Sequence, residues 1–125
     1  MLVGSTGKDS YNGGLGNDTF RLNGNALIDT IQDFSSADDT IQLENTIFTS
    51  FVNTGMVSIN SFIQGAGFTS ADAGATGADD FLIYNTSTGG LYYDAGGNTA
   101  DSAPAVQIAL LATYPALTNA DFFVI

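Results

Sequence analysis

The stretch that decides the fold lies near the amino terminus, where two nine-residue segments follow each other directly. Residues 4–12 read Gly4-Ser5-Thr6-Gly7-Lys8-Asp9-Ser10-Tyr11-Asn12, and residues 13–21 read Gly13-Gly14-Leu15-Gly16-Asn17-Asp18-Thr19-Phe20-Arg21. Glycine, aspartate and an aromatic residue recur at matching positions of the two copies. Self-similarity at a short fixed period indicates a repeat architecture in which each copy is one small structural unit.

Each copy predicts a very short strand around its aromatic residue, and the other six residues must turn. Side chains alternate between the two faces of a strand, so Tyr11 and Phe20 are expected to point into a core. Glycines at the first and fourth positions allow positive φ, which lets the turn direct successive backbone carbonyls toward one point. Two strand-turn units would then make one coil of a flattened helix.

Composition restricts the partners that this 125-residue chain can have, and its length fits one domain. Thirteen acidic residues face only Lys8 and Arg21, which gives a net charge of -11, while 44% of the residues are hydrophobic. Nucleic acid and anionic membrane surfaces need a basic patch, so neither is an expected partner. Without histidine or cysteine the chain offers almost no ligands for zinc, copper or haem, and calcium is the cation that remains.

The turns of the two copies carry the groups that calcium prefers. This ion binds six to eight oxygen atoms from carboxylates, carbonyls and water. An ion would lie between one turn and the turn two copies later, so Asp9 and Asp18 are expected to face different ions. The predicted ligand residues within the two copies are Ser5, Gly7, Asp9, Gly14, Gly16 and Asp18.

The two copies resemble the repeats-in-toxin family, whose nonapeptide is Gly-Gly-x-Gly-x-Asp-x-(large apolar)-x. Residues 13–21 match this pattern fully, and residues 4–12 match it with Ser5 in place of the second glycine. The resemblance implies a short parallel β-roll with calcium between its turns. Leu2 occupies the apolar position of a preceding copy, so we expect the array to begin upstream, in a larger protein.

Later segments extend the resemblance to the carboxyl terminus. Residues 29–34 are similar to the segment that caps such rolls, and by this resemblance Asp29 would close the last calcium site. Tyr92-Tyr93-Asp94 and residues 121–125 are similar to the C-terminal region that type I secretion machinery reads in this family. The resemblance therefore implies a secreted, extracellular module that folds when it meets calcium. Removing Phe122 to Ile125 is then expected to abolish export and to leave the calcium sites intact.

The nonapeptide pattern fails in the third copy. Residues 22–30 place Leu27 at the aspartate position and Asp29 two residues late, so we expect the roll to end there with one to three ions bound.

The rest of the chain predicts an all-β domain with a capping segment at 22–64 and a hairpin and secretion region at 65–125. Residues 44–64 indicate loop with short strands or one helical turn, and residues 65–80 have a loop composition. Aromatic runs at 81–84 and 91–93 flank a Gly-containing turn and predict a β-hairpin. Apolar runs at 106–111 and 122–125 predict buried strands.

Several residues leave alternatives open. The two copies could form a Gly-rich hairpin with solvated aspartates. Asp33, Asp38 and Asp39 could be ligands or could cap backbone N–H groups at strand ends. Asp94 begins a segment with a faint likeness to an acidic calcium loop, but Gly96 stands where a second carboxylate is needed, which favours a turn.

Two other functional classes compete with calcium-dependent export. The hairpin tyrosines Tyr84, Tyr92 and Tyr93 could line a sugar site of an adhesin or surface-matrix module, although such aromatics more often pack in a core. Alternatively, the chain is the non-catalytic end of a secreted hydrolase. No pair of carboxylates stands out by its spacing, so we do not expect an enzyme. No signal-peptide segment follows Met1 and no apolar run reaches membrane-spanning length, so the export address is expected elsewhere in the chain.

Overall fold

The computed structural model describes residues 1–4, 6–23, 27–69, 80–97 and 105–125, and in these ranges the chain forms eleven β-strands, two short 3₁₀ helices and no α-helix. The strands are β1 (Leu2–Val3), β2 (Ser10–Tyr11), β3 (Thr19–Leu22), β4 (Asp29–Ile31), β5 (Thr40–Leu43), β6 (Gly55–Met56), β7 (Phe62–Gly65), β8 (Leu82–Asn85), β9 (Gly90–Tyr93), β10 (Val106–Leu111) and β11 (Phe122–Val124). The 3₁₀ helices are Ile59–Ser61 and Asn119–Asp121. The predicted all-β class is confirmed. No helix in the described ranges has the length and apolar character needed to cross a membrane.

The strands form two mixed sheets. One sheet has the order β1-β3-β5-β11-β6, and the other has the order β2-β4-β10-β9-β8-β7. The first five strands pair only in parallel, whereas β6, β9 and the β8–β9 hairpin add antiparallel neighbours. Parallel pairing therefore joins the strands of the amino-terminal third to one another and to β10 and β11, and it also joins β7 to β8 in the second half of the chain.

Between residues 2 and 43 the chain changes sheet at every strand. β1, β3 and β5 are parallel neighbours in one sheet, and β2 and β4 are parallel neighbours in the other. The register places Phe20 beside Ile41 and Tyr11 beside Ile31, and all four side chains are buried. The aliphatic residues thus continue the inward rows that the two repeat aromatics begin.

The expectation that this winding ends at residues 22–30 is wrong. Asp29 follows Asp9 by 20 residues, two more than two nonapeptides, yet β4 pairs in register with β2. Asp39 follows Asp18 by 21 residues, and β5 still pairs in register with β3. The additional residues lie between strands, so the strands keep their alternation while the nonapeptide pattern is lost.

The second half of the chain matches the segment predictions within the described ranges. Residues 44–64 contain β6, one 3₁₀ helix and most of β7, as the broken apolar pattern indicates. β8 and β9 form the predicted hairpin, with Leu82 opposite Tyr93 and Tyr84 opposite Leu91. Most of the predicted loop at 65–80 lies outside the described residues.

The two C-terminal strands lie inside the sheets and not at their edges. β10 pairs in parallel with β4 and antiparallel with β9. β11 pairs in parallel with β5 and antiparallel with β6. The end of the chain therefore covers the strands that finish the amino-terminal winding.

Aromatic side chains connect the core that both sheets share. Tyr11 meets Phe20 edge-on at 6.2 Å between ring centroids, and Phe20 packs on Phe34 at 6.0 Å. Phe62 of one sheet packs on Phe122 of the other at 5.3 Å. These residues belong to one cluster of buried apolar side chains, so the winding and the C-terminal strands share a core.

Tyr84 in β8 makes the stability of this core sensitive to alkaline pH. Its side chain is fully buried, and its hydroxyl donates a hydrogen bond to the Pro115 carbonyl at 2.9 Å. Burial raises the pKa of the Tyr84 phenol above its ordinary value. The unfolded chain ionises this phenol near pH 10, roughly the value for an exposed tyrosine, while the folded chain keeps it neutral.

The free energy of unfolding should therefore fall as the pH rises above about 10, because the unfolded state then binds fewer protons than the folded state. Tyr84→Phe should make this decline shallower, since it removes the buried phenol. Thermal melts over an alkaline pH series would measure both slopes. The matched control is Tyr114→Phe, which removes a phenol that is 59% exposed. Equal slopes for the wild type and Tyr84→Phe would contradict the expectation.

Candidate metal centre

Parallel pairing brings the inter-strand turns of the winding together in two groups. The turn before β2 meets the turn before β4, because Ser10 pairs with Thr30. The turn before β3 meets the turn before β5, because Thr19 pairs with Thr40. Asp9, Asp18 and Asp39 directly precede β2, β3 and β5, and Asp29 is the first residue of β4, so Asp9 lies in register with Asp29 and Asp18 with Asp39.

Asp29 connects the first pair of turns. One carboxylate oxygen accepts the backbone N–H of Asp9 at 3.0 Å, and the other accepts the Tyr11 hydroxyl at 3.1 Å. Asp29 is only 2% exposed, so these two bonds replace water around a buried carboxylate. Burial, and then the Asp29 charge, raise the pKa of the Tyr11 phenol well above its usual range. Tyr11 therefore remains a hydrogen-bond donor to Asp29 at ordinary pH.

Asp39 connects the second pair of turns through hydrogen bonds to its carboxylate. Its carboxylate accepts the backbone N–H of Asp18 at 2.9 Å and that of Ser35 at 2.9 Å. Asp39 is buried, with 6% of its surface exposed. It thereby holds the turn before β3 against the turn before β5.

Asp33 adds a second link between these two turns. Its two oxygens accept the backbone N–H groups of Gly13 and Gly14 at 2.9 and 2.7 Å. Asp38, in contrast, is exposed, and its carboxylate lies 3.5 Å from the Ser35 hydroxyl and holds no backbone N–H of a facing turn among the described residues. The structure therefore gives Asp33 and Asp39 the backbone-capping role that the sequence left open.

Asp18 differs from the capping aspartates because its carboxylate has a buried oxygen without a hydrogen bond. Oδ2 of Asp18 is inaccessible to solvent and has no partner among the described residues. A β-carbon placed on Gly13 would lie 2.5 Å from this oxygen, so only glycine leaves room for the Asp18 carboxylate in the turn. The repeat thus holds a carboxylate oxygen inside its own turn with no protein group to satisfy it.

Positive φ occurs at some glycines of the two copies. Gly7, Gly14 and Gly16 have φ values of 146°, 87° and 105°, which disfavour any residue with a side chain. The expectation of positive φ is right for the fourth position of each copy and wrong for the first, since Gly4 and Gly13 do not adopt it. The first glycine is needed for space, because a side chain there would meet Tyr11 or Asp18.

The predicted ligand residues fall into three groups. Ser5 lies outside the described residues. The nonapeptide ligands Gly7, Asp9, Gly14, Gly16 and Asp18 lie in the two groups of turns described above. Asp29 reaches the first group but already accepts one hydrogen bond at each oxygen.

Sequence reasoning missed Asp39 as the register partner of Asp18. The repeated tetrad Asp29-Thr30-Ile31-Gln32 and Asp39-Thr40-Ile41-Gln42 carried that signal, because it places an aspartate at the start of β4 and directly before β5. In the described ranges no group of three or more acidic side chains converges in the manner of a metal site. An ion held here would take most of its ligands from backbone carbonyls, which calcium accepts readily.

The other acidic and aromatic candidates have structural roles. Asp94 is buried and accepts the N–H of Gly96 at 3.1 Å, in agreement with the turn interpretation. The Tyr93 hydroxyl donates to Ser50 Oγ at 2.8 Å and accepts the Ser50 N–H at 3.0 Å. Tyr84 is fully buried, so two of the three hairpin tyrosines are engaged in packing and hydrogen bonding.

Comparisons with protein-family models, with curated proteins and with solved structures found no match to this chain.

Proposed function

We propose that this chain is a calcium-binding module of the repeats-in-toxin type, which folds on export and carries the C-terminal type I secretion signal of a larger secreted protein. In this proposal the alternating strands of residues 2–43 are a short parallel β-roll, and calcium binds between its stacked turns. The module has no catalytic role of its own. Its partners are calcium ions and the type I secretion machinery, and its location is extracellular.

The observation that carries the calcium proposal is the buried Oδ2 of Asp18. A buried carboxylate oxygen without a partner costs free energy, and a cation relieves that cost. The glycine at position 13 leaves room for this carboxylate, and Gly14 and Gly16 bend the same turn into a conformation that other residues disfavour. These features fit the chemistry of a calcium site made of one carboxylate and several carbonyls.

The residues that would hold the ions follow from the two groups of turns. In the second group, Asp18 supplies charge and the carbonyls of Gly14 and Gly16 supply neutral oxygen atoms. In the first group, Asp9 would supply charge and the carbonyls of Ser5 and Gly7 would supply neutral oxygen atoms. Asp29 can offer the lone pairs that its two hydrogen bonds leave free. Bound calcium supplies positive charge and ties two turns of the winding together.

The acidic composition explains why the chain would remain unfolded before export and would fold outside the cell. With a net charge of -11, the carboxylates repel one another when calcium is scarce, and the chain remains extended enough to be threaded. Outside the cell, calcium binds only the folded form. Each site filled at a hundred times its dissociation constant adds about 2.7 kcal/mol to the free energy of unfolding.

Replacing Asp18 with asparagine tests the calcium proposal directly. Asp18→Asn should weaken calcium binding at one site by at least about tenfold, because it removes the charged ligand without changing the size of the side chain. Isothermal titration calorimetry measures both the affinity and the number of ions bound.

The matched control is Asp38→Asn, which removes the same charge from an exposed residue near the same turns. This variant should bind calcium as the wild type does. If the two variants lose affinity equally, calcium is attracted by the net charge alone and is not coordinated by the turns.

A further inference from the structure

Both sheets have an open edge at the same end of the molecule. β6 is the last strand of one sheet and β7 is the last strand of the other, and the two strands follow each other along the chain. On its outer side neither strand pairs with another strand of the described residues. The unpaired N–H and C=O groups of an edge strand can pair with another chain. We call residues 52–65 the β6–β7 end.

Ionisable side chains avoid the β6–β7 end although the chain is strongly acidic. Between Glu44 and Asp72 the sequence has no acidic or basic residue, while the whole chain has a net charge of -11. Asp121 belongs to the 3₁₀ helix that contacts β6, and Asp80 precedes β8, the neighbour of β7. These two carboxylates are in residues that are only 5% and 1% exposed, so they are not presented to an approaching molecule.

Large apolar side chains are exposed at the same end. Val52, Met56 and Ile59 are 80%, 62% and 73% exposed. Phe123, the neighbour of Met56 in the pairing of β11 with β6, is 44% exposed. Apolar side chains exposed close together on an uncharged surface are typical of a contact with another protein.

The edge strand β7 lacks the features that usually prevent pairing with another chain. Soluble proteins protect an exposed edge with lysine, with proline or with a β-bulge. β7 has the sequence Phe62-Ile63-Gln64-Gly65, which contains neither charge nor proline, and its pairing with β8 is regular. The backbone of β7 is therefore free to accept a further strand.

The charge distribution indicates which partner fits this end. A basic partner would be attracted to the acidic parts of the chain and not to an uncharged end. A second copy of the chain is repelled by those acidic parts, but at the β6–β7 end it brings an uncharged, apolar surface of its own. A two-fold axis beside β7 places identical patches together without setting like charges opposite each other, and it makes the two β7 strands antiparallel.

We propose that the chain forms a symmetric dimer through the β6–β7 end, in which β7 pairs antiparallel with β7 of a second copy. The sheet that contains β7 then continues from one copy into the other, and the exposed apolar side chains of the two ends cover each other. The contact contains none of the predicted calcium ligands, so it does not depend on the calcium proposal.

Sedimentation velocity of the full chain in calcium-containing buffer tests the association. The sedimentation coefficient should rise from that of a monomer to that of a dimer as the protein concentration passes through the micromolar range. Raising the ionic strength should strengthen the dimer, because salt screens the repulsion between two chains that each have a net charge of -11. A contact made of ion pairs would weaken in the same series.

Ile59→Lys should weaken the dimer by at least about tenfold, because it places a charge in each half of an apolar contact. Val106→Lys is the matched control, since it adds the same charge at an apolar residue of β10 that is 55% exposed. This control should dimerise as the wild type does. The two variants have the same net charge, so a difference between them reports the position of the substitution. Thermal melts show whether each variant remains folded.

Amide hydrogen exchange of the wild type locates the contact without any variant. The protection of residues 62–65 should increase with protein concentration, because the outer side of β7 gains a partner strand. The strands at the opposite edges, β1 and β2, should exchange at the same rate at every concentration.

The proposal is overturned if the chain stays monomeric throughout this range, if salt weakens the dimer, or if Ile59→Lys dimerises as Val106→Lys does. A dimer that protects β1 or β2 and not β7 would assign the contact to the opposite edges. A monomer in which β7 is already protected would assign its edge to another segment of the same chain. Either result would contradict the proposal, as would open-ended aggregation in place of a dimer.

Discussion

Phe122→Ala should lower the free energy of unfolding by about 3–5 kcal/mol, the cost of truncating a buried phenylalanine. Phe122 is fully buried in β11, where it packs on Phe62, and β11 lies between β5 and β6 in its sheet. Such a loss is a large part of the stability of a domain of this size, typically about 5–15 kcal/mol. Urea unfolding followed by circular dichroism measures it.

Phe123→Ala is a matched control at the adjacent residue. Phe123 is 44% exposed and faces the outer side of the same strand, so its truncation should change the free energy of unfolding by less than about 1 kcal/mol. The two variants have the same composition and differ only in which face of β11 loses a ring. Similar losses would show that the register of β11 is not the one described.

Deletion of Phe122 to Ile125 has a larger expected effect than the sequence suggested. β11 pairs with β5, and β5 follows directly on Asp39, which holds the turn containing Asp18. Ile125 also exchanges backbone hydrogen bonds with Leu43 and Asn45 at 2.9 Å each. Removing this strand should therefore weaken calcium binding at the second group of turns as well as the core, and the expectation that binding stays intact is replaced.

The same deletion tests the proposed export signal. A signal read in the unfolded chain does not depend on folded stability, so the deletion should abolish secretion, while Phe62→Ala, which truncates the ring that packs on Phe122 and leaves the proposed signal unchanged, should lower stability and still be exported. A secretion assay in a host with type I machinery compares the two. Normal export of the truncated chain would remove the targeting role from these residues.

Local patterns predicted much of the fold because they act within a few residues. The alternation of side chains around Tyr11 and Phe20 predicts buried aromatics in short strands, and both are at most 5% exposed. The hairpin at 82–93 follows from its aromatic strands and its Gly-containing turn. The parallel pairing of β10 with β4 and of β11 with β5 joins segments about 80 residues apart, and no local pattern encodes such contacts.

The sequence predicted the part of the candidate site that lies in the two nonapeptides. It predicted the residues that follow them incompletely. Loop length decides which aspartate comes to lie in register with Asp18, and sequence spacing alone did not distinguish Asp38 from Asp39. The two connections that lengthen the winding keep the strands in register, so Asp39 is buried against the Asp18 N–H while Asp38 remains exposed. The distinction depends on backbone geometry that a pattern of residue types does not contain.

Removal of calcium by a chelator should destabilise the amino-terminal third far more than the hairpin. Without a cation, the buried Oδ2 of Asp18 has no partner, and the carboxylates of Asp9 and Asp29 lie in facing turns. The hydrogen bonds from backbone N–H groups to Asp29, Asp33 and Asp39 hold the turns together, but they do not neutralise the negative charge of these facing carboxylates. Two ions at a hundred times their dissociation constants would contribute about 5 kcal/mol.

The expected consequence is a melting temperature lower by about 10–20 °C in chelator than in calcium, given the sensitivity of domains of this size. Amide hydrogen exchange locates the change. Protection should fall at β2 to β5 and should be largely retained in β8 and β9, which pair with each other and lie away from the turns.

Magnesium at the same concentration is the control, since it demands a tight octahedral shell and accepts backbone carbonyls poorly. Magnesium should restore little of the decrease in melting temperature that the chelator causes. If the two ions only neutralised the net charge without being coordinated, both would restore the melting temperature equally. Identical melting and exchange in calcium and in chelator would remove calcium from the function of this chain. In that case the buried, unpartnered oxygen of Asp18 would remain a cost to folding, and the Asp18→Asn variant, which removes the charge, should be at least as stable as the wild type in every buffer.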